Sequence, residues 1–264
     1  TTKEQFGSLI GKFTNASNVE EQCKYMDEII KLRNHVETMS TLVSIRHSID
    51  TVDEFYDKEN DYYDENGPVL QSFVIDFYKA LTTSKFRKEL EEKYGKFLFD
   101  LAECSLKTFD EKVIPDLQEE NKLVSKYQKL IASAKIEFDG GEKNLSEMVP
   151  YTQSKDRSTR KDAAKKVAQF FSENKNEFDD IYDKLVKVRN GIAHKLGFKN
   201  YIELAYALMS RLEYNAADVA GYRKQVLENI VPVHSELRKR QAKRLGLDKL
   251  TFYDEPIKFN SGNA

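Results

Sequence analysis

Four histidines are the residues best suited to metal or acid–base chemistry: His35, His47, His194 and His234. A helix-borne zinc site of the His-Glu-x-x-His kind puts two imidazoles one turn apart, with a glutamate between them to activate water. None of the four has a second histidine four residues on. His35 is followed by Val36-Glu37 and His234 by Ser235-Glu236, so neither begins the motif. Each reads as a surface or helix-end residue. Nucleophilic catalysis has no better footing: there is no Gly-x-Ser-x-Gly elbow. Cys23 and Cys104 fall in helical patterns, where a thiol is packing. Phosphate loops and dinucleotide fingerprints are absent from the sequence. No catalytic, cofactor-binding or metal-binding residue is assigned to this chain.

Two charged stretches invite other chemistry. Asp50 to Asp64 is rich in carboxylates, but a calcium loop counted from Asp57 needs glycine at its sixth position, and Tyr62 stands there. The stretch reads as a solvated acidic helix face. His234 to Arg244 is basic, with Leu237 and Leu245 marking an inward face. With a net charge of −2 overall, a solvated helix explains it without nucleic acid.

The elements that would position any site are helical. The 264 residues include only 11 Gly and 5 Pro, which favours long helices over many short strands. Ser17-Asn-Val-Glu20 reads as a capping box. Helical spacing then follows through Met26, Ile29, Ile30 and Val36, and again through Leu42 to Val52. Gly67-Pro68 predicts a break. Further helices are expected over 69–81, 86–109 and 110–134, with Asp110 as a cap and Pro115 in a first turn. Ala134 to Leu145 alternates around Asp139-Gly140-Gly141 and predicts one β-hairpin. Helices resume near Ser154. Asn174, Asn200 and Asn215 stand as caps, and Gly197 as a left-handed stop. Pro232 should kink or divide the last long helix, which runs from Asn215 to Gly246. Leu250 to Phe259 has the character of a linker, and the polar end Asn260 to Ala264 reads as a cut.

The sequence leaves a disulfide between Cys23 and Cys104 open. Two cysteines in this length form no disulfide framework, and they read as cytosolic thiols. No apolar run approaches the roughly 20 residues of a membrane span, and Thr1 to Phe13 lacks a signal-peptide core. The expectation is a cytoplasmic protein with neither membrane nor nucleic acid as partner.

The segment Val188-Arg-Asn-Gly-Ile-Ala-His-Lys-Leu-Gly-Phe-Lys-Asn-Tyr201 resembles a helix and turn of the oligoendopeptidase F-type zinc metallopeptidases, in the thimet oligopeptidase-like superfamily. Tyr214 to Val226, Ile230-Val-Pro-Val233, Leu237-Arg-Lys-Arg240 and Leu250-Thr-Phe-Tyr-Asp254 follow in the matching order. Ile45 to Asp50, Asp116 to Asn121 and Ala132 to Ile136 fit as well. The resemblance implies an almost all-helical fold with a deep cleft, and hydrolysis of short peptides by a zinc-activated water. The zinc helix, its third ligand and the oxyanion donors belong beyond the matched segment, so none of those roles falls on a residue here. The resulting expectation is a mainly α fold: an N-terminal antiparallel helical lobe at 1–133, a β-hairpin seam at 134–145, and a truncated segment at 146–264 leading into the catalytic lobe. Zinc is expected in the complete enzyme and not in this chain. The implied partners are oligopeptide substrates and the C-terminal catalytic half of the same protein. The alternative is a non-catalytic helical module that binds peptides or proteins.

Overall fold

Short polar side chains open six of the α-helices, satisfying amides that have no partner within the helix. The computed structural model describes residues 1–262. In chain order the helices are α1 (Thr2–Thr14), α2 (Val19–Ile49), α3 (Glu54–Thr82), α4 (Arg87–Tyr94), α5 (Lys96–Leu106) and α6 (Ile114–Ala132). The strands β1 (Ile136–Phe138) and β2 (Gly141–Lys143) come next. Then follow α7 (Val149–Thr152), α8 (Arg157–Glu173), α9 (Lys175–Lys195), α10 (Tyr201–Leu208), α11 (Ala216–Gln225) and α12 (Val231–Arg244). The fold is mainly α, and the hairpin is the only sheet among the described residues.

The caps follow the sequence with two shifts. Asn18, not Ser17, caps α2: its side chain accepts from the Glu21 amide at 2.8 Å, and the Glu21 carboxylate accepts from the Ser17 amide at 2.8 Å. The reciprocal box is therefore displaced by one residue, because Asn18 is equally able to cap. Asn174 acts backwards, its Nδ2 donating to the Phe170 carbonyl at 2.9 Å to close α8 rather than open α9. Asn200 and Asn215 cap α10 and α11 as read. Gly197 stops α9 with φ +85°, while the Phe198 amide donates to the Ala193 carbonyl at 2.9 Å.

The break expected at Gly67-Pro68 does not occur, because α3 runs straight through it. Proline has no N–H for the Asp64 carbonyl one turn back. Helix α6 supplies donors instead: Asn121 Nδ2 reaches the Asp64 carbonyl at 3.1 Å, and Gln118 Nε2 the Glu65 carbonyl at 2.7 Å. Asn121→Ala is expected to lower stability by about 1 kcal/mol, the net worth of one such bond. A urea titration checks this, and an unchanged midpoint would show that the side chain does not support the proline turn.

The chain divides into two compact units. The first is Thr1–Lys126 with Tyr182–Glu213, and the second is Tyr127–Ile181 with Tyr214–Ala264. In the first unit, α1, α2, α3 and α5 bury Phe6, Phe13, Met26, Ile29, Phe77 and Phe99 in one core. Phe13 and Phe77 meet edge to face at 5.3 Å. Each such side chain contributes about 1.5–3 kcal/mol by leaving water. A smaller cluster of Val113, Ile192, Ala193 and Leu204 belongs to the same unit.

In the second unit the hairpin packs against α8 through Ile136, Met148, Ala163 and Phe170. Ile136 pairs with Lys143 and Phe138 with Gly141. The turn holds Asp139 at φ +50° and Gly140 at φ +74°, matching the right-handed twist of the strands. Tyr151 Oη donates to Asp139 Oδ2 at 2.8 Å and ties the turn to α7. Pro232 divides the last helix, as its sequence position indicates. Between α11 and α12 lies one wide π-helical turn, Val226–Ile230, closed by the Val231 amide on the Val226 carbonyl.

Candidate functional site

The histidines do not converge. His35, His194 and His234 are exposed, on α2, α9 and α12. His194 Nε2 lies 3.1 Å from the Lys199 carbonyl. His47 departs from the surface reading: it is fully buried near the end of α2, with Nε2 3.1 Å from Asp57 Oδ1 and Nδ1 lacking a protein partner. It is a helix-end residue whose burial is offset by a carboxylate on the next helix. The acidic stretch is correspondingly less solvated than its composition suggests. Asp53 caps α3, Asp57 faces His47, and Asp64 accepts from Ser125 Oγ at 2.6 Å. Among the described residues, no group of three or more His, Cys, Asp or Glu could hold a metal ion. Cys23 is buried, Cys104 is half-buried, and both are free thiols.

The densest polar constellation lies in the second unit, around a residue that sequence reasoning placed in a linker. Asp254 is fully buried. Arg157 grips it with two bonds, Nε to Oδ1 at 2.9 Å and Nη2 to Oδ2 at 2.8 Å. Arg160 Nη2 adds a bond to Oδ1 at 3.1 Å, and Thr251 Oγ1 one to Oδ2 at 2.6 Å. Arg160 is itself buried and spends its other donors on the carbonyls of Ser154, Lys155 and Tyr253. The Arg157 bonds, assisted by Thr251 and Arg160, hold the Asp254 carboxyl well below the usual carboxylate range. A carboxylate so saturated with donors cannot accept a proton near neutral pH. Its role is to fix position: it locks a short 3-10 turn, Phe252–Asp254, onto the start of α8.

The same tail is tied to the end of α12. Gln241 is buried and its Nε2 donates to the carbonyls of Ile257 at 2.6 Å and Glu255 at 3.2 Å. Arg244 Nε donates to the Lys258 carbonyl at 2.7 Å, and Arg238 pairs with Glu255. The linker reading of Leu250 to Phe259 is corrected by these bonds, with Ile257 buried as well. Asn263 and Ala264, the last residues of the expected polar end, lie outside the described residues.

These ties leave the rest of the helix bare. Leu237 is 54% exposed and is not an inward residue; the buried position on α12 is Gln241, because the tail needs its amide. From Ala216 to Arg240 no residue is buried. Tyr222, Leu227, Ile230, Val231, Val233 and Leu237 stand exposed along this stretch, whereas Val219 and Val226 are half-buried. Chemically the surface offers apolar contact beside two exposed ion pairs, Lys224 with Glu228 and Arg240 with Glu236. The sequence did carry a signal for it, since those side chains lie on an expected helix with no partner helix to match.

Residues 1–109 match the peptidase M3 N-terminal domain, and residues 150–257 match peptidase family M3. No curated protein matches the chain. Three solved structures superpose on 99% of it. One, described as an oligoendopeptidase F from Bacillus anthracis str. Ames, is 53% identical with a TM-score of 0.97, and the chain covers 48% of it. A second oligoendopeptidase F structure is 48% identical, with a TM-score of 0.97 and 46% of its length covered. The third, PZ peptidase A with an inhibitor, is 50% identical, with a TM-score of 0.97 and 47% covered. The chain thus spans about half the length of these solved proteins. Among the described residues, no helix is long and apolar enough to cross a membrane.

Proposed function

The chain belongs to peptidase family M3, and on that premise we propose that it supplies the N-terminal part of a zinc metalloendopeptidase that hydrolyses short oligopeptides. The observation that carries the reading is the 53% identity to an oligoendopeptidase F over 99% of this chain. Zinc in the complete enzyme would polarise a water for attack on the peptide carbonyl. The residues present here do not fit that ion. The exposed histidines lie on three separate helices, and His47 is buried against Asp57. The zinc site and the acid–base groups are therefore assigned to a C-terminal half, and no hydrolytic step is derived from this chain.

What this chain would contribute is shape. Residues 1–133 form the N-terminal lobe in this reading, the hairpin at 134–145 marks the seam, and 146–264 begin the catalytic lobe. The separate family matches, ending at 109 and starting at 150, support that division. The exposed face of α11 and α12 is where the C-terminal half would dock, and solved relatives twice as long support such a half. The two free thiols support a cytoplasmic setting.

The purified chain is expected to bind no stoichiometric zinc and to leave quenched fluorescent peptides uncut. Adding the C-terminal half should produce hydrolysis that a chelator abolishes. Elemental analysis with a peptide assay checks both halves of the statement. One tightly held zinc per chain with chelator-sensitive cleavage by the chain alone, or no cleavage by the reassembled pair, would overturn the reading.

A further inference from the structure

Glycine follows asparagine or aspartate at three places: Asn66-Gly67, Asp139-Gly140 and Asn190-Gly191. Each pair carries the same latent reaction, attack of the glycine amide nitrogen on the side-chain carbonyl carbon before it. Glycine favours it because no Cβ shields that nitrogen. The fold treats the three pairs differently. Asn66-Gly67 lies inside α3 and Asn190-Gly191 inside α9. There the glycine amide donates to the carbonyl four residues back, and the helix fixes the backbone around it. Both asparagine side chains are held as well. Asn66 Nδ2 donates to the Tyr62 carbonyl at 3.0 Å, and Asn190 Nδ2 to the Val186 carbonyl at 3.0 Å. Asn190 Oδ1 also accepts from the Tyr201 amide at 3.1 Å.

The hairpin turn lacks that helical protection. Asp139 and Gly140 are exposed, and the Gly140 amide has no hydrogen-bond partner among the described residues. A Cβ placed on Gly140 would meet nothing within 4 Å, so the nitrogen is open to approach. Asp139 sits at φ +50°, a region that residues other than glycine occupy at a cost. One contact restrains its carboxylate, the bond from Tyr151 Oη to Oδ2 at 2.8 Å. The same bond pushes the Tyr151 phenol above its ordinary value.

We propose that Asp139 is a site of spontaneous isoaspartate formation and that Tyr151 sets its rate. The Gly140 nitrogen bonds to Asp139 Cγ and gives up its proton, and a carboxyl oxygen leaves as water, which closes an imide ring. Water then adds to one of the two imide carbonyls. Addition at Cγ restores aspartate. Addition at the main-chain carbonyl breaks its bond to nitrogen and leaves the chain running through Cβ and Cγ. Composition is unchanged, and water is the only reactant. By donating to the carboxylate, Tyr151 favours the ionised form, which is the poorer electrophile, and pins it in place. The extra main-chain carbon does not fit a two-residue turn. The pairing of Phe138 with Gly141 and the 5.0 Å contact between the Phe138 and Tyr151 rings are lost with it. The inference does not depend on the peptidase reading.

Storage of the 264-residue chain in heavy-oxygen water at neutral pH, followed by tryptic digestion in ordinary water and mass spectrometry, tests it. Trypsin cuts after Lys135 and Lys143 and releases Ile136–Lys143 with Asp139 inside. The expected result is heavy oxygen in this peptide and a second chromatographic form of the same composition, while Asn66 and Asn190 keep their amides. Conversion should be slower than in the free synthetic peptide of the same sequence. Tyr151→Phe should speed it about fivefold, as loss of one hydrogen bond does. Asp139→Glu, whose imide ring would be one atom larger, should stop it. No heavy oxygen at Asp139 by the time half of the free peptide has converted would overturn the proposal, as would faster loss of the Asn66 or Asn190 amide. An unchanged rate in Tyr151→Phe would overturn the part assigned to Tyr151. The wild-type chain decides the first part by itself, so the test stands if Tyr151→Phe fails to fold.

Discussion

Asp254→Asn lowers the unfolding free energy at neutral pH by about 3 kcal/mol, the lower end of what breaking a buried ion pair costs. The substitution keeps the volume and deletes the charge. It strands Arg160, which is 3% exposed, as a buried cation without its counter-ion. Three carbonyls still accept from Arg160, which is why the loss stays at the low end. Arg157→Ala should cost less, because its side chain is 46% exposed and water already takes part of its solvation. The pH dependence follows from linkage. Asp254 is held below the usual carboxylate range in the folded protein, so its contribution is fully present above the unfolded value of about 4. It is lost as pH falls through the lower folded value. The gap between wild type and Asp254→Asn should therefore be constant from about pH 5 upward and shrink below about pH 4. Denaturant titrations followed by circular dichroism at a series of pH values measure this. Equal stability at neutral pH, or a gap that widens on acidification, would show that the buried network does not hold the tail.

The legible part of this fold was whatever local chemistry decides. Asp139-Gly140 announces its turn because two adjacent positive φ angles suit few other pairs. Gly197, Asn200 and Asn215 mark helix ends because a cap needs only its own neighbours. Pro232 divides its helix, with a π-helical turn at Val226–Ile230 just before it. Pro68 is the instructive counterpart. The same chemistry predicts a break there, and the helix continues with Asn121, more than fifty residues away, donating to the freed Asp64 carbonyl and Gln118 to the Glu65 carbonyl beside it. No pattern around residue 68 reveals that.

Function-bearing positions follow the same division. The absence of a His-Glu-x-x-His spacing is readable because the motif is local. His47 looks like a surface histidine until Asp57, on the next helix, is brought beside it. Arg160 reads as one more charge on a basic helix, yet it is buried by a carboxylate ninety-four positions later. Gln241 and Leu237 exchange roles for a related reason. Hydrophobicity ranks leucine as the inward residue, but the tail offers two carbonyls that need a donor leucine lacks, so the glutamine goes in and the leucine stays out.

That exchange leads to the expected behaviour of the bare helix. The isolated chain should self-associate at micromolar concentration, and a separately produced C-terminal half should convert it to a one-to-one complex with a higher melting temperature. Six large apolar residues exposed along one element exceed the scattered exposure of an ordinary monomer surface. Each gains about 1–3 kcal/mol when fully covered, so two of them outweigh the loss of any single polar contact at the rim. Ile230→Asp combined with Leu237→Asp should weaken the complex by about a hundredfold, and self-association with it. The fold should survive, because these side chains are 59% and 54% exposed and support no core. Sedimentation velocity across a concentration series separates the outcomes. A clean monomer at all micromolar concentrations, with no gain in melting temperature on adding the C-terminal half, would mean that this face is solvated in the complete protein. A complex that forms equally well with the double variant would place the docking surface elsewhere on the chain.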